Sequence, residues 1–325
     1  MILSYSLRLV FLCFAFFFLA HAALGLTAWA ARPAAIRLAE RVRPRTAARF
    51  LFALRLLPAA LGILVLFLLC VPSYLWLEPK ASAERVGLLC VAAAAAGATL
   101  WLTSAARTLR AVIESLRFRA QCDRSGQTLK SARINDRITV IETDYPLIAL
   151  AGLFHPRVVI SRSAMNALSP AELAAALEHE RVHRTSGDNW KRLLFRAAPE
   201  AVPFSRCFAG IEQAWLRFSE CAADADATHG DEHASLALAS ALIQVARLGT
   251  ARPVPAAVSS LVPDPRDLAE RIDRLLLPQP QQSKYRVGTV VAVAVTSLLV
   301  AGLAAAMFSP STLIAVHEVL ERLIA

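Results

Sequence analysis

Three residues at fixed spacing carry the strongest chemical signal in the chain: His179, Glu180 and His183. On a helix, positions i and i+4 project from one face about one turn apart, so the two imidazoles can share a metal ion. Glu180 then stands beside that ion without binding it, where a carboxylate can act as general base toward water whose pKa the metal has lowered to about 7. A catalytic zinc site takes three protein ligands and leaves a position open. Glu220 offers a third donor from a downstream helical stretch, and Asp224, one turn later, can accept a hydrogen bond from a ligand histidine's free ring N–H. The expected site is therefore one Zn2+ on His179, His183 and Glu220, with Glu180 as catalytic base and Asp224 orienting a ligand from behind. The bland reading of Glu220 and Asp224 is an acidic helix end, since Asp226, Asp231 and Glu232 follow. His229 and His233 also have i, i+4 spacing, but Gly230 and Asp231 between them mark a turn. Either is a weaker candidate for steadying an oxyanion.

These residues need a rigid helix, and the sequence specifies one. Ser169-Pro170-Ala171-Glu172 supplies an N-cap, a proline at the first helical position and a capping-box acid, and Gly187 ends the run. Further helices are expected over 188–197, 207–228, 234–248 and 266–277, with a proline-rich linker over 251–265. Asp188 is expected to cap the helix it opens, and His155 before Pro156 to sit in a turn. Residues 137–142 and 157–161 are short β-branched runs, separated by Pro146, Gly152 and Pro156, and predict a small sheet or hairpin. Val158–Ile160 reads either as an edge strand that could pair with an extended peptide or as a purely structural strand.

The rest of the chain belongs to a membrane. Fifty-six per cent of its 325 residues are hydrophobic and 18% charged, too apolar for a soluble enzyme or a disordered chain. Stretches 9–31, 56–77, 86–106 and 287–308 contain no Lys, Arg, Asp or Glu, and each is long enough to cross a bilayer. The first also resembles a secretory signal ending at Ala20-His21-Ala22, but cleavage there would leave the next segment outside. That segment carries seven arginines, Arg32 to Arg55, against Glu40 alone, which places it in the cytoplasm. Both termini are then outside, and the long third loop, basic at both ends, is inside. The formal charge of +10 is thereby largely assigned to topology, with attraction to anionic lipid, and no direct nucleic-acid binding is expected. The six cysteines include no C-x-x-C pair, so neither a zinc ribbon nor a disulfide framework is indicated. None of the spans holds an ionisable residue other than His21, which disfavours a transporter.

The fold class expected is a mainly α polytopic membrane protein of four transmembrane helices. A three-span region (1–106) precedes a cytoplasmic α+β zinc peptidase domain (107–286). A fourth span (287–308) and a short amphipathic tail (309–325) on the outer surface follow.

Taken in order, Gly152 through Ile160, Leu168 through Leu173, His179 through His183 with Asp188-Asn189, and Glu220 through Asp224 resemble the BlaR/MecR-type membrane zinc metallopeptidases, peptidase family fifty-six, relatives of the gluzincins. The resemblance covers most of the chain and includes three spans before the peptidase loop and one after. It implies zinc on His179, His183 and Glu220, catalysis by Glu180, support from Asp224 and a gluzincin-like domain. What it supports is the peptidase and its frame in a bacterial inner membrane, with self-cleavage within the loop carried over from the family, while signal, partner and substrate stay open. The reading adopted is a protein substrate, a transcriptional repressor or membrane-associated regulator, cut in signal transduction, with a separate sensor protein or transcriptional repressor as partner. Antibiotic-sensing members carry a penicillin-binding domain after the last span, whereas this chain runs only about seventeen residues past Phe308, so no such sensor is expected. Two rivals stand beside this reading: a quality-control protease of the HtpX type, and a signalling scaffold that keeps zinc without turnover.

Overall fold

The computed structural model describes residues 4–78, 86–131, 136–143, 145–249, 255–261, 265–277, 302 and 309–324. Three helices are long and apolar enough to cross a membrane: α1 (Tyr5–Ala39), the body Pro44–Leu77 and α4 (Leu88–Ser125). The second body begins as α2 (Pro44–Val65), widens into a π turn (Leu66–Cys70) and resumes as α3 (Val71–Leu77). Pro72 explains the widening: it lacks the N–H that Leu68 would accept, and Val71 N–H donates back to Leu66 O instead. The expected fourth span lies outside the described residues apart from Gly302.

Close approach of α1 and α4 depends on a glycine, because a Cβ on Gly97 would stand 2.2 Å from Phe14 O. At the far end of the bundle Arg8 and Glu78 form a buried ion pair at 3.0 Å. The final described helix, α11 (Pro310–Ile324), packs there. Its Leu313 carbonyl accepts from Ser73 Oγ, and its Leu320 is buried among Leu12, Cys70 and Cys90.

α4 continues beyond its apolar run and leads directly into β1 (Gly126–Ser131). With β2 (Asp136–Ile141), β3 (Ile148–Ala151), β4 (Arg157–Ser161) and β5 (Ser259–Ser260) it forms a five-stranded sheet of order β1-β2-β4-β3-β5. Only the β2–β4 pairing is parallel. β4 is therefore internal, held by β2 and β3, which rules out its reading as an edge strand. The edge on that side is β5, inside the stretch expected to be linker, which pairs with β3 through Ala149↔Ser260 and Leu150↔Ser259.

Both faces of the sheet are covered, so β4 reads as an unbroken apolar run. Val158 and Ile160 face helices α6 (Pro170–Ser186) and α9 (Glu232–Arg247), while Val159 packs on the face shared with Phe118 of α4. Short α5 (Arg162–Ala167) precedes α6. α7 (Asp188–Ala197), α8 (Ala209–Thr228) and α10 (Pro265–Leu276) complete the domain. Leu51 and Ala47 of α2 and Ala28 and Ala39 of α1 are buried with Phe195 of α7 and with Ile211, Trp215 and Phe218 of α8. The long helices and helices α7 and α8 thus share one core.

Candidate metal centre

The metal candidates sit on α6, whose start is fixed by a complete capping box. Ser169 N–H donates to Glu172 Oε2 at 2.8 Å and Glu172 N–H to Ser169 Oγ at 3.3 Å, and Ser240 Oγ–H also donates to Glu172. At the other end Gly187 adopts φ 68°, ψ 33°, a left-handed conformation natural to glycine. α7 starts at the next residue, so the turn throws Asp188 back toward α6.

Three donor atoms converge in the core between α6 and α8. His179 Nε2 and His183 Nε2 are 3.1 Å apart, and Glu220 Oε2 lies 3.4 Å from the first and 3.5 Å from the second. Donors about 2.0–2.2 Å from one tetrahedral ion stand about 3.3–3.6 Å from each other. The cluster is therefore the size of a metal's coordination sphere. All three residues are buried, and among the described residues no other group of His, Cys, Asp and Glu meets this spacing.

Each ligand candidate is held from behind. His183 Nδ1–H donates to Asp188 Oδ2 at 2.6 Å, and Asp188 also accepts from Lys191 Nζ at 2.6 Å and Ser219 Oγ at 3.0 Å. His179 Nδ1 lies 2.9 Å from Asp224 Oδ1, out of line for a full hydrogen bond. Arg271 clamps Asp224 with two bonds of 2.7 Å, approaches Glu220 Oε2 at 3.4 Å, and donates to Leu261 O just after β5. Arg192 of α7 reaches Glu220 Oε1 at 3.4 Å and lies over the Trp215 ring. Asp188 does not cap α7: Gly187 takes the cap position, and the Asp188 carboxylate is spent on His183. Asn189 donates to the carbonyls of Leu150 and Gly152 and accepts from Ser259 N–H, pinning β3 to β5 beside the site.

Glu180 is different. It is fully buried, and neither carboxylate oxygen has a hydrogen-bond partner. A buried carboxyl left bare costs free energy unless something else is meant to meet it. Burial pushes its pKa up, against the pull of His179 and His183. Glu220 goes the other way: burial would raise it, but the His183 charge, the histidine hydrogen bonds and Arg271 hold it well below the usual carboxylate range. Burial is likewise outweighed at Asp224, kept low by Arg271 and His179, and at Asp188, kept low by His183 and Lys191. An anionic Glu220 facing two imidazoles suits a divalent cation that displaces the protons from their Nε2 atoms.

The structure brings His179, Glu180, His183, Glu220 and Asp224 together, and adds Asp188, which the sequence reading made a helix cap, and Arg192 and Arg271, which sequence reasoning missed. Asp188 was accessible as the first residue after a left-handed glycine; the arginines carry no local signal. His229, at φ 51°, and His233 are exposed at the α8–α9 turn and make no hydrogen bond to the site among the described contacts. The site itself is closed to solvent: His179, Glu180 and His183 have no exposed surface.

A His-Glu-x-x-His helix with an acidic donor from the next long helix, mounted on three membrane-length helices, is the arrangement of a membrane metallopeptidase. The chain belongs to the BlaR1 peptidase M56 family, whose model matches residues 79–275. No curated protein and no solved structure matches it.

Proposed function

We propose that this protein is a zinc endopeptidase of the bacterial inner membrane that cuts a protein substrate on the cytoplasmic side, in regulatory signalling. The observation that carries the reading is the buried Glu180 carboxyl, bare of partners, one residue from a three-donor cluster of metal-site dimensions. A scaffold that held zinc only for structure would have no use for it. The arginine-rich link between the first two spans supports the cytoplasmic placement. A repressor or membrane-associated regulator is the substrate class, with a separate sensor protein supplying the signal.

His179, His183 and Glu220 would hold the zinc, which would supply the positive charge needed to acidify water and polarise a carbonyl. Asp188 keeps the proton of His183 on Nδ1, leaving Nε2 free to bind, and Asp224 is placed to do the same for His179. Glu180 takes a proton from the attacking water and delivers it to the leaving amine, a transfer that contributes about 10²–10⁴-fold. Its buried position excludes competing bulk water from the carboxylate.

The test pairs metal content with cleavage in cells. Wild-type protein in detergent is expected to hold one zinc per chain, lost in His179→Ala and Glu220→Ala. Cells carrying Glu180→Gln are expected to lack a small set of cleavage products found with wild type. A wide spread of membrane-protein fragments would instead indicate a quality-control protease, products common to both strains a scaffold, and absence of zinc would end the metal reading.

A further inference from the structure

Arg55 is the last charged residue before the apolar run of α2, yet it is fully buried. Its guanidinium faces away from lipid into the C-terminal end of α7. It donates to Phe195 O at 3.2 Å, Ala198 O at 3.0 Å and Pro199 O at 3.2 Å, and pairs with Glu212 at 2.9 Å and Glu200 at 3.7 Å. The Phe208 ring lies 4.4 Å below it. A helix C-terminus presents carbonyls without intrahelical partners and a partial negative charge, and a planar five-donor cation satisfies both.

The opposite end of α7 lies at the metal centre. Asp188 in its first turn bonds His183, Asn189 pins β3 and β5, and Arg192 reaches Glu220. A ten-residue helix is about 15 Å long and stiff at that length, so its two ends move together. Trp215, packed against Phe195 and below Arg192, ties the ends laterally.

We propose that Arg55 is a positioning residue for the metal centre: by fixing the C-terminal carbonyls of α7 to α2, it sets Asp188 against His183 and Arg192 against Glu220. The inference rests on the metallopeptidase reading of that centre and extends it to a residue on a membrane helix that touches neither metal nor substrate.

The test uses the full-length protein in detergent, with Arg55→Met, Arg55→Lys and, as a control that removes apolar packing from the same interface, Leu51→Ala. Metal-free protein is loaded with cobalt(II), and the visible ligand-field spectrum and chelator-competition affinity are read. Arg55→Met is expected to weaken metal binding about tenfold, the lower end for residues supporting a ligand, and to shift the cobalt bands. Arg55→Lys, which keeps the charge and loses the fork, should fall between, and Leu51→Ala should match wild type. Wild-type spectrum and affinity in Arg55→Met, or in Arg55→Lys if the Met variant does not fold, would overturn the proposal. So would an equal shift in Leu51→Ala. The downfield proton resonance of the His183–Asp188 bond in the metal-free protein separates the two readings. If wild type takes no cobalt, the metal reading fails, yet loss of that resonance in Arg55→Met still upholds the positioning role and its persistence overturns it.

Discussion

Asp188 Oδ2 accepts a hydrogen bond of 2.6 Å from His183 Nδ1, across the single left-handed glycine that joins α6 to α7. This bond fixes both the tautomer and the tilt of the ring that presents Nε2 to the cluster. Removing such a partner typically costs a metal site about 10–100-fold in affinity. Asp188→Asn, which keeps the shape and loses the charge, is expected to weaken zinc by that range in a chelator titration. An unchanged affinity would show that Asp188 serves Lys191 and Ser219 rather than the site.

Glu180→Gln should separate binding from turnover. The amide keeps the volume of the side chain and cannot take a proton, so zinc content should stay at the wild-type level while the cleavage rate falls about 10²–10⁴-fold. Because burial raises the carboxyl pKa in the metal-free protein, its titration there, followed by carboxyl-carbon NMR, should lie above the 4.5 of an ordinary glutamate. A Gln variant that cleaves at the normal rate removes Glu180 from the mechanism.

Zinc uptake should release protons. In the metal-free protein burial alone would depress His183, but the Glu220 charge and the hydrogen bonds that its ring donates to Asp188 and Glu220 push its pKa up to about 10. A folded pKa above the ordinary 6.5 stabilises the metal-free fold fully below about pH 6.5, and this contribution is lost as pH rises through about 10. Metal binding has the opposite sign, because zinc takes only the unprotonated nitrogen. Apparent affinity should climb about tenfold per pH unit for each proton displaced between pH 6 and 8. Chelator-buffered titrations at three pH values measure the slope; a flat line contradicts the charge state assigned to the cluster.

Arg271 neutralises two buried acids at once. Replacing it by Met leaves Asp224 without its guanidinium partner and Glu220 with Arg192 alone, and breaking a buried pair in this way costs about 3–5 kcal/mol. Denaturant unfolding of metal-free protein should register that loss, and Asp224→Asn in the same chain should recover part of it. Strictly additive losses would mean the two residues do not act as a pair.

What the sequence revealed here was what local rules encode. The capping box at Ser169 and Glu172, the stop at Gly187 and the i, i+4 period of His179 and His183 each fall within one helix, and one turn relates Glu220 to Asp224. The contacts that escaped detection span the chain. Arg271 is 47 residues from Asp224 and Arg55 is 143 from Ala198, separations that leave no periodic trace. Arg55 also counted, by position, as a marker of membrane orientation, and nothing local distinguishes it from its exposed neighbours. β5 is two residues long, too short for alternation to show, and it lies among prolines that argue for linker.

The pairing of α2 with α8 makes the long helices a depth gauge. Arg55 meets Glu212, while Arg45, further from the apolar run, meets Asp226, so the two helices run side by side in opposite directions. Glu220 lies eight residues beyond Glu212, about 12 Å along the axis. An extended chain covers that distance in about four residues. On the proposed function, with the bilayer surface at the start of the apolar run beside Arg55, a bond to be cut would lie within a few residues of that surface: a substrate with its own membrane anchor would qualify by tether length alone, and a free one would first have to be brought down to the lipid.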